Sequence, residues 1–493
     1  MPKIDIFEQD LTQATSTLGT DIPFIPGFAV PYERISRKNL FAEMFSENYK
    51  YEDNPVYTKE GKSYTKVTEQ ELQKHINDLG DYTDADLSSS DATAPYFVAT
   101  GVTYDTPILC TSVESFKALF GDTPYIFEEA EDDHSIQIGD ADRSYIMARE
   151  LLKMGMPVYY YAVDPSENNI TEFLSSLYTY FKSGDLADKD EYTIKYITTG
   201  GYANYIDVDT GSKDAKGAAI LAKLSAAMLD IAETRGDAIV LVEGDDTINH
   251  ESLTYTDTKS LYYKLNDDKR IQSTYAAAFI PWAKYSIGDN GIILPACYAY
   301  LSALAKTIKT GPNWLAIAGI TRGSVPKIDK LHTAPGIRLS NVIANSYQPL
   351  AAEAGKQIAL NAITQINPYG LTIWGNRTLQ EIKEGTVAGN FLNTRNMASD
   401  IKKVAYKVAK SLMYEQNNDA LWIRFKSEVS PYLEQLKAGS GISDYKLIRS
   451  NVNSAGKKLS REQFACIIKI FPVAAVESFE IAIVMSDADV EVQ

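Results

Sequence analysis

"KGAAILAKLSAAMLDIAETRG", residues 216–236, runs straight into "DAIVLVEG", residues 237–244, and the fold turns on how this pair is read. The first is a long run of helix formers closed by Gly236, where a helix ordinarily ends. The second is a short apolar run rich in β-branched residues, the pattern of a strand. Just upstream, "YTIKYITTGG" (192–201) reads as another strand. Strand, helix and apolar strand at this spacing predict a βαβ unit with a right-handed crossover. The middle of the chain is therefore expected to be α/β.

The same grammar extends upstream. "APYFVATG" (94–101) and "PVYYYAV" (157–163) read as strands, while "SVESFKALFG" (112–121) reads as a helix with a Ser N-cap and a terminal Gly121. "ADRSYIMARELLKMG" (141–155) is a second helix. Before residue 94 the character changes. "KIDIF" alternates in the strand period, and "GTDIPFIPGFAV" follows with two prolines and two glycines. Gly19, Pro23, Pro26 and Gly27 are read as a linker. Residues 47–93 are polar and Tyr-rich, with one helix expected at "TEQELQKHINDL".

The last third is α+β in style. "NTRNMASDIKKVAYKVAKSLMYE" (393–415) sets Ile401, Val404, Val408 and Leu412 at helical spacing with lysines opposite. "NDALWIRFKSEVSPYLEQLKAG" (418–439) is read as two short helices broken near Pro431. "FEIAIVMS" (479–486) is a strand apolar on nearly both faces. The fold class is thus α/β and α+β multidomain. The expected divisions are an N-terminal arm 1–30, a peripheral polar insertion 31–93, an α/β domain 94–270, a connecting segment 271–360 and a core 361–493 ending in an arm. At 493 residues, about three domains is the size expectation.

Chemistry finds few footholds. A net charge of −17 argues against a nucleic-acid surface. Three scattered cysteines, Cys110, Cys297 and Cys466, give no disulfide framework and fit a reducing compartment. The start lacks the pattern of a signal peptide, and "GIILPACYAYLSALA" (291–305), interrupted by Pro295, reads as a buried element, not a membrane span. No close metal spacing, phosphate loop or nucleophile elbow is present. His250-Glu251 fails as a zincin start because residue 254 is Thr. Glu243, Asp245 and Asp246 read as a solvated strand end, and the acidic run "EEAEDD" (128–133) as a solvated loop. The remaining candidate is "INPYGLTIWGNRTL" (366–379), where Trp374 and Arg377 suit either a ligand clamp or a structural joint. No base, nucleophile or metal ligand adjoins them, which favours the joint.

Several segments, in order, resemble the contractile tail sheath proteins of myophages and related injection systems. They are "APYFVATGVTYDTPILCTSVESFKALFG" (94–121), "STYAAAFIPW" (273–282), "LPACYAYLSALAKTIKTGPNWLAIAGITRG" (294–323), "INPYGLTIWGNRTL", "NTRNMASDIKKVAYKVAKSLMYEQNNDALW" (393–422) and "FPVAAVESFEIAIVM" (471–485). The resemblance implies an inner polymerising domain of mixed sheet and helices, with outer insertions and extended arms. It makes Trp374, Gly375, Arg377, Thr378, Leu379, Asn418, Leu421 and Trp422 a structural signature, the two tryptophans core anchors and Arg377 a buried or interfacial pairing residue. Ile4, Ile6 and Phe7, with Phe479, Ile481 and Ile483, become strand arms between subunits. It implies no catalysis, cofactor, metal, nucleic acid or membrane insertion. The implied partners are further copies in hexameric rings, an inner tail tube protein, baseplate proteins and a tail terminator. The implied location is a virion or injection-system tail, assembled in the bacterial cytoplasm. A non-enzymatic surface or carbohydrate-binding structural protein is the alternative.

Overall fold

The computed structural model describes residues 21–29, 32–36, 56–59, 62–65, 95–99, 104–121, 124–127, 141–164, 170–202, 215–242, 273–288, 291–332, 347–349, 357–380, 388–452 and 456–475. The expected arm residues Ile4, Ile6, Phe7, Phe479, Ile481 and Ile483 lie outside them. So do Gly19, the helix at "TEQELQKHINDL", the acidic run 128–133 and Glu243–Asp246.

The first strands are β1 (Pro23–Phe28), β2 (Tyr32–Ser36), β3 (Val56–Lys59), β4 (Lys62–Thr65), β5 (Pro95–Ala99) and β6 (Pro107–Cys110). Then come α1 (Val113–Phe120), α2 (Arg143–Lys153), β7 (Val158–Val163), α3 (Ile170–Ser183), β8 (Tyr196–Ile197), α4 (Ala215–Arg235) and β9 (Ile239–Val242). The next group is β10 (Ala276–Ile280), β11 (Ala283–Tyr285), β12 (Ile292–Leu294), α5 (Ala296–Ile308), α6 (Gly319–Arg322) and β13 (Ile328–Leu331). The chain continues through β14 (Tyr347–Pro349), β15 (Gln357–Ala359), β16 (Asn361–Ile366), β17 (Gly370–Ile373), α7 (Leu392–Ser411), α8 (Asp419–Ala438), β18 (Ile442–Ser450) and β19 (Ala465–Pro472).

Eight strands form one sheet in the order β17-β16-β10-β9-β8-β1-β7-β6. The six inner strands are parallel, and β6 and β17 close the two edges antiparallel. The βαβ unit read from residues 192–244 is β8-α4-β9, whose strands are parallel neighbours. Strand alternation sorts side chains into two cores. Phe24, Phe28, Tyr159, Tyr161, Val240 and Val242 face the layer containing α3 and α4. Ile25, Val158, Tyr160, Ile239, Leu241 and Phe279 face α1, α2 and α5. Both faces being covered explains why these strands read as unbroken apolar runs. The apolar stretch 291–305 holds the whole of β12 and most of the almost wholly buried helix α5.

Two expectations are corrected here. Residues 21–29 are no linker: every one is buried, and β1 lies between β7 and β8 inside the sheet. The prolines are tolerated because Pro23 opens the strand and Pro26 lies past the end of β8. Thr198 N–H donates to Phe24 O at 3.2 Å, so alternation turns residue 26 toward β8, which stops at Ile197 and leaves no ladder bond to lose. Gly27 passes so near α2 and β7 that a Cβ there would stand 2.7 Å from Ser144 Cβ. Second, 419–438 is one helix that runs through Pro431. Phe425, Val429, Leu433 and Leu436 make a continuous buried stripe, while Pro431 is exposed, so the missing hydrogen bond falls on the solvent side.

β2 and β5 pair antiparallel, bringing residues 32–36 against 95–99 and closing the base of the polar insertion. The single sheet draws strands from the expected segments 1–30, 94–270, 271–360 and 361–493 alike, so those divisions cut across one core. A third, separate cluster is built by α7, α8, Trp314 and the hairpin β18–β19.

Candidate assembly interface

The signature 366–379 acts as a joint. β16 and β17 form a hairpin in which Ile366 faces Gly370, and Tyr369 N–H closes the turn on Ile366 O at 2.6 Å. After β17 the chain passes over Asn361, and Gly375 allows it: a Cβ there would lie 2.8 Å from Asn361 Cα. The buried Asn361 amide donates to Ala278 O at 3.0 Å and Arg377 O at 2.8 Å, and its oxygen accepts from Arg377 N–H at 2.7 Å. Leu379 N–H donates to Ala276 O at 2.7 Å, and Thr378 Oγ1 to Gly389 O at 2.8 Å. Asn376 and Asn393 exchange two hydrogen bonds at the first turn of α7. The motif thereby fastens α7 to β10 and β16.

Thr378 and Leu379 are buried, but Trp374 is not a core anchor, being 42% exposed. Its N–H is spent on Ala362 O at 2.7 Å, and strand alternation then turns the ring away from the core. Arg377 is half-buried with its guanidinium 4.2 Å over the Phe391 ring. Asn418 is likewise not core; it is the exposed N-cap of α8, accepting from Leu421 N–H at 3.0 Å. Trp422 and Leu421 are half-buried against the third cluster, Trp422 stacking on Phe425 at 6.4 Å.

A polar cluster absent from the sequence reading ties α7 to the sheet from below. Lys195 Nζ lies 2.6 Å from Asp21 Oδ1 and 2.8 Å from Asp400 Oδ1, all three nearly inaccessible. Asn313 Nδ2 donates to Asp21 Oδ2 at 2.8 Å and Asp400 Oδ2 at 2.9 Å. Burial alone would pull Lys195 down, but the two carboxylates outweigh it and hold its pKa above the ordinary value. Burial raises Asp400. Lys403, donating to Ile194 O at 2.9 Å, is pushed down to about 8 by burial and then by Lys195. These residues are separated by up to hundreds of positions, so no local spacing could reveal them.

The joint and the cluster present the C-terminal unit outward. β18 and β19 pair only with each other, leaving an open edge on either side among the described residues. Tyr445, Leu447, Cys466, Ile468 and Ile470 pack inward on the third cluster. The outer face carries the cross-strand pair Ile448 and Ile467, 40% and 44% exposed, with Phe471 and Lys446–Lys469 beside it. Residues 388–475 hold fourteen Lys and Arg against seven Asp and Glu, in a chain whose net charge is −17. Open strand edges among the described residues, exposed apolar side chains and a basic unit on an acidic chain are features that suit association.

This fold is shared with subunits of contractile machines. The chain superposes on a chain of the anti-feeding prophage (AFP) baseplate in its contracted state with TM-score 0.54 and 15% identity, covering 79% of this chain and 91% of that one. It superposes on a chain of the PVC sheath complex, an extracellular contractile injection system in the contracted state, with TM-score 0.51 and 14% identity over 78% and 88% of the two chains. In sequence, residues 388–486 match the model of the phage tail sheath C-terminal domain. It is 22% identical over 229 residues to the tail sheath protein of Vibrio phage KVP40, and 24% identical over 212 residues to that of Enterobacteria phage T4. Those matches span 46% and 42% of this chain but only 32% and 29% of the two phage proteins, about a third of their length.

Proposed function

We propose that this chain is a structural, non-enzymatic subunit of a contractile tail sheath. It polymerises as stacked hexameric rings around an inner tube and contracts to drive that tube through a target envelope. The observation that supports this reading is the hairpin β18–β19, which lies within the matched range 388–486 and, among the described residues, is two-stranded and open at both edges. A strand from another copy would complete its sheet, as extended peptides do at open edges. Rings close by cyclic contacts, while stacking with rotation propagates along the axis. Contraction needs no nucleotide on this reading, since a metastable extended lattice relaxes once a baseplate releases it. The inner tube, baseplate and tail terminator are the remaining partners, and assembly takes place in the bacterial cytoplasm.

Negative-stain electron microscopy of the purified protein across salt concentrations is the direct test. Hollow tubes with a cogwheel cross-section are expected. Monomers at every salt, even with tube protein added, would sink the assignment. The net charge of −17 adds repulsion to the extended form on this reading, so salt should shift the ratio of extended to contracted polymer. An unchanged ratio removes that contribution.

A further inference from the structure

The far end of the hairpin carries a cavity of about 530 Å³, lined by Asn417, Arg449, Asn451, Lys458, Gln463 and Phe464 among others. Its lining is cationic and rich in amides, with Phe464 as its one aromatic residue. The Arg449 guanidinium donates to Asp419 Oδ1 at 2.7 Å and Asn417 Oδ1 at 3.3 Å, but Asp419 is 94% exposed and easily displaced. The Lys458 ammonium has no hydrogen-bond or ion-pair partner among the described residues. Lys457 and Arg461 flank it, and no acidic residue occurs between 449 and 461. Such a site recognises carboxylates.

We propose that this cavity binds the acidic segment Asp487–Glu491 of a second copy and thereby fixes the register of the added strand. The proposal rests on the strand-addition reading above and deepens it. Charge is the first argument: residues 476–493 contain five acidic and no basic residues. Asp487, Asp489 and Glu491 alternate with Ala488 and Val490, so in extended backbone the three carboxylates share one side. Length is the second. β19 runs from the cavity, which Ala465 lines, to the hairpin base, where Val473 N–H donates to Gly441 O at 3.1 Å. A strand of residues 479–486 laid antiparallel on β19 matches its eight residues, about 26 Å at roughly 3.3 Å each, and delivers Asp487 to the cavity. Need is the third. That strand is apolar on nearly both faces, so hydrophobic patterning does not select a register, and a one-residue slip is otherwise cheap. A charged clamp at its end supplies the missing choice.

The test uses the full chain. A carbodiimide couples carboxylates to amines at zero length, and mixing ¹⁵N-labelled with unlabelled chains separates links between copies from links within one. The expected product joins Lys458 to Asp487, Asp489 or Glu491 across copies. R449E/K458E and D487K/D489K/E491K should each raise the concentration needed for tube formation about tenfold, and the combined charge swap should restore it. Tubes that form normally in both charge-reversed proteins, links from Lys458 to Glu128–Asp133, or links only within one chain would overturn the proposal and leave the sheath reading standing. Absence of tubes in the unaltered protein, with the Lys458 link between copies still formed, would strike the sheath reading and leave the cavity's occupant in place.

Discussion

At the scale of single residues, Lys195 is one of the ties between the sheet and α7. It stands between Asp21, just before β1, and Asp400 on α7, with no water-exposed surface. Lys195→Met leaves two carboxylates facing each other in a dry site, which costs about 3–5 kcal/mol when a buried pair loses one member. Urea unfolding should read that loss as a lower midpoint. Lys403 gives a pH signature. Its folded value of about 8 lies below the ordinary 10.5, so between those values the unfolded chain binds more protons than the folded one. Stability should therefore rise with pH across that window, and the penalty is fully present below pH 8. Lys403→Met should flatten the rise, checked by unfolding midpoints from pH 7 to 10. Neither lysine was legible in the sequence, because each acquires its meaning from partners such as Asp21, 174 positions before Lys195. The stretch 366–379 was legible as a joint, since no base, nucleophile or metal ligand adjoins Trp374 and Arg377 in sequence, but its seat on Asn361 and the exposure of Trp374 were not.

At the scale of elements, packing overrides propensity twice. α8 survives Pro431 because its buried stripe runs unbroken on the opposite side. Pro431→Ala should therefore stabilise the protein, by up to about 3 kcal/mol, the difference between Pro and Ala in a helix interior. A calorimetric melting temperature that stays unchanged instead would show that the proline is accommodated without cost. β1 makes the same point more strongly: two prolines and two glycines in twelve residues read as a linker, yet tertiary pairing with β7 and β8 makes Pro23–Phe28 a central strand. α4 and β9, by contrast, were readable outright, because helix length, a terminal glycine and a β-branched run all agree. The hairpin separates stability from assembly. Ile467→Lys, on the outer face, should change monomer stability by less than about 0.5 kcal/mol while suppressing polymerisation. Ile468→Ala, one residue on, should cost roughly 1–3 kcal/mol of folding, since that side chain packs inward. Sedimentation velocity beside denaturant melts distinguishes the two outcomes.

At the scale of the whole molecule, the two ends of the sequence do different work. Removing residues 1–18 stops short of Asp21 and β1, so it should leave folded, soluble protein that fails to polymerise. Removing residues 1–29 takes away a central strand and one carboxylate of the Lys195 cluster, and should leave insoluble or molten protein. Circular dichroism with size-exclusion chromatography reads both. The position of β1 also sets an order of events during synthesis. Its partners β7 and β8 lie more than a hundred residues later, so β1 must wait as an unpaired apolar strand while they are made. At roughly 5–20 residues per second, the gap of about 170 residues from β1 to β8 takes on the order of 10–30 s. The hairpin β18–β19 follows another 245 or so residues behind β8. The surface proposed to capture other copies is thus translated only after all strands of the eight-stranded sheet, so the order of synthesis puts folding of that sheet ahead of polymerisation.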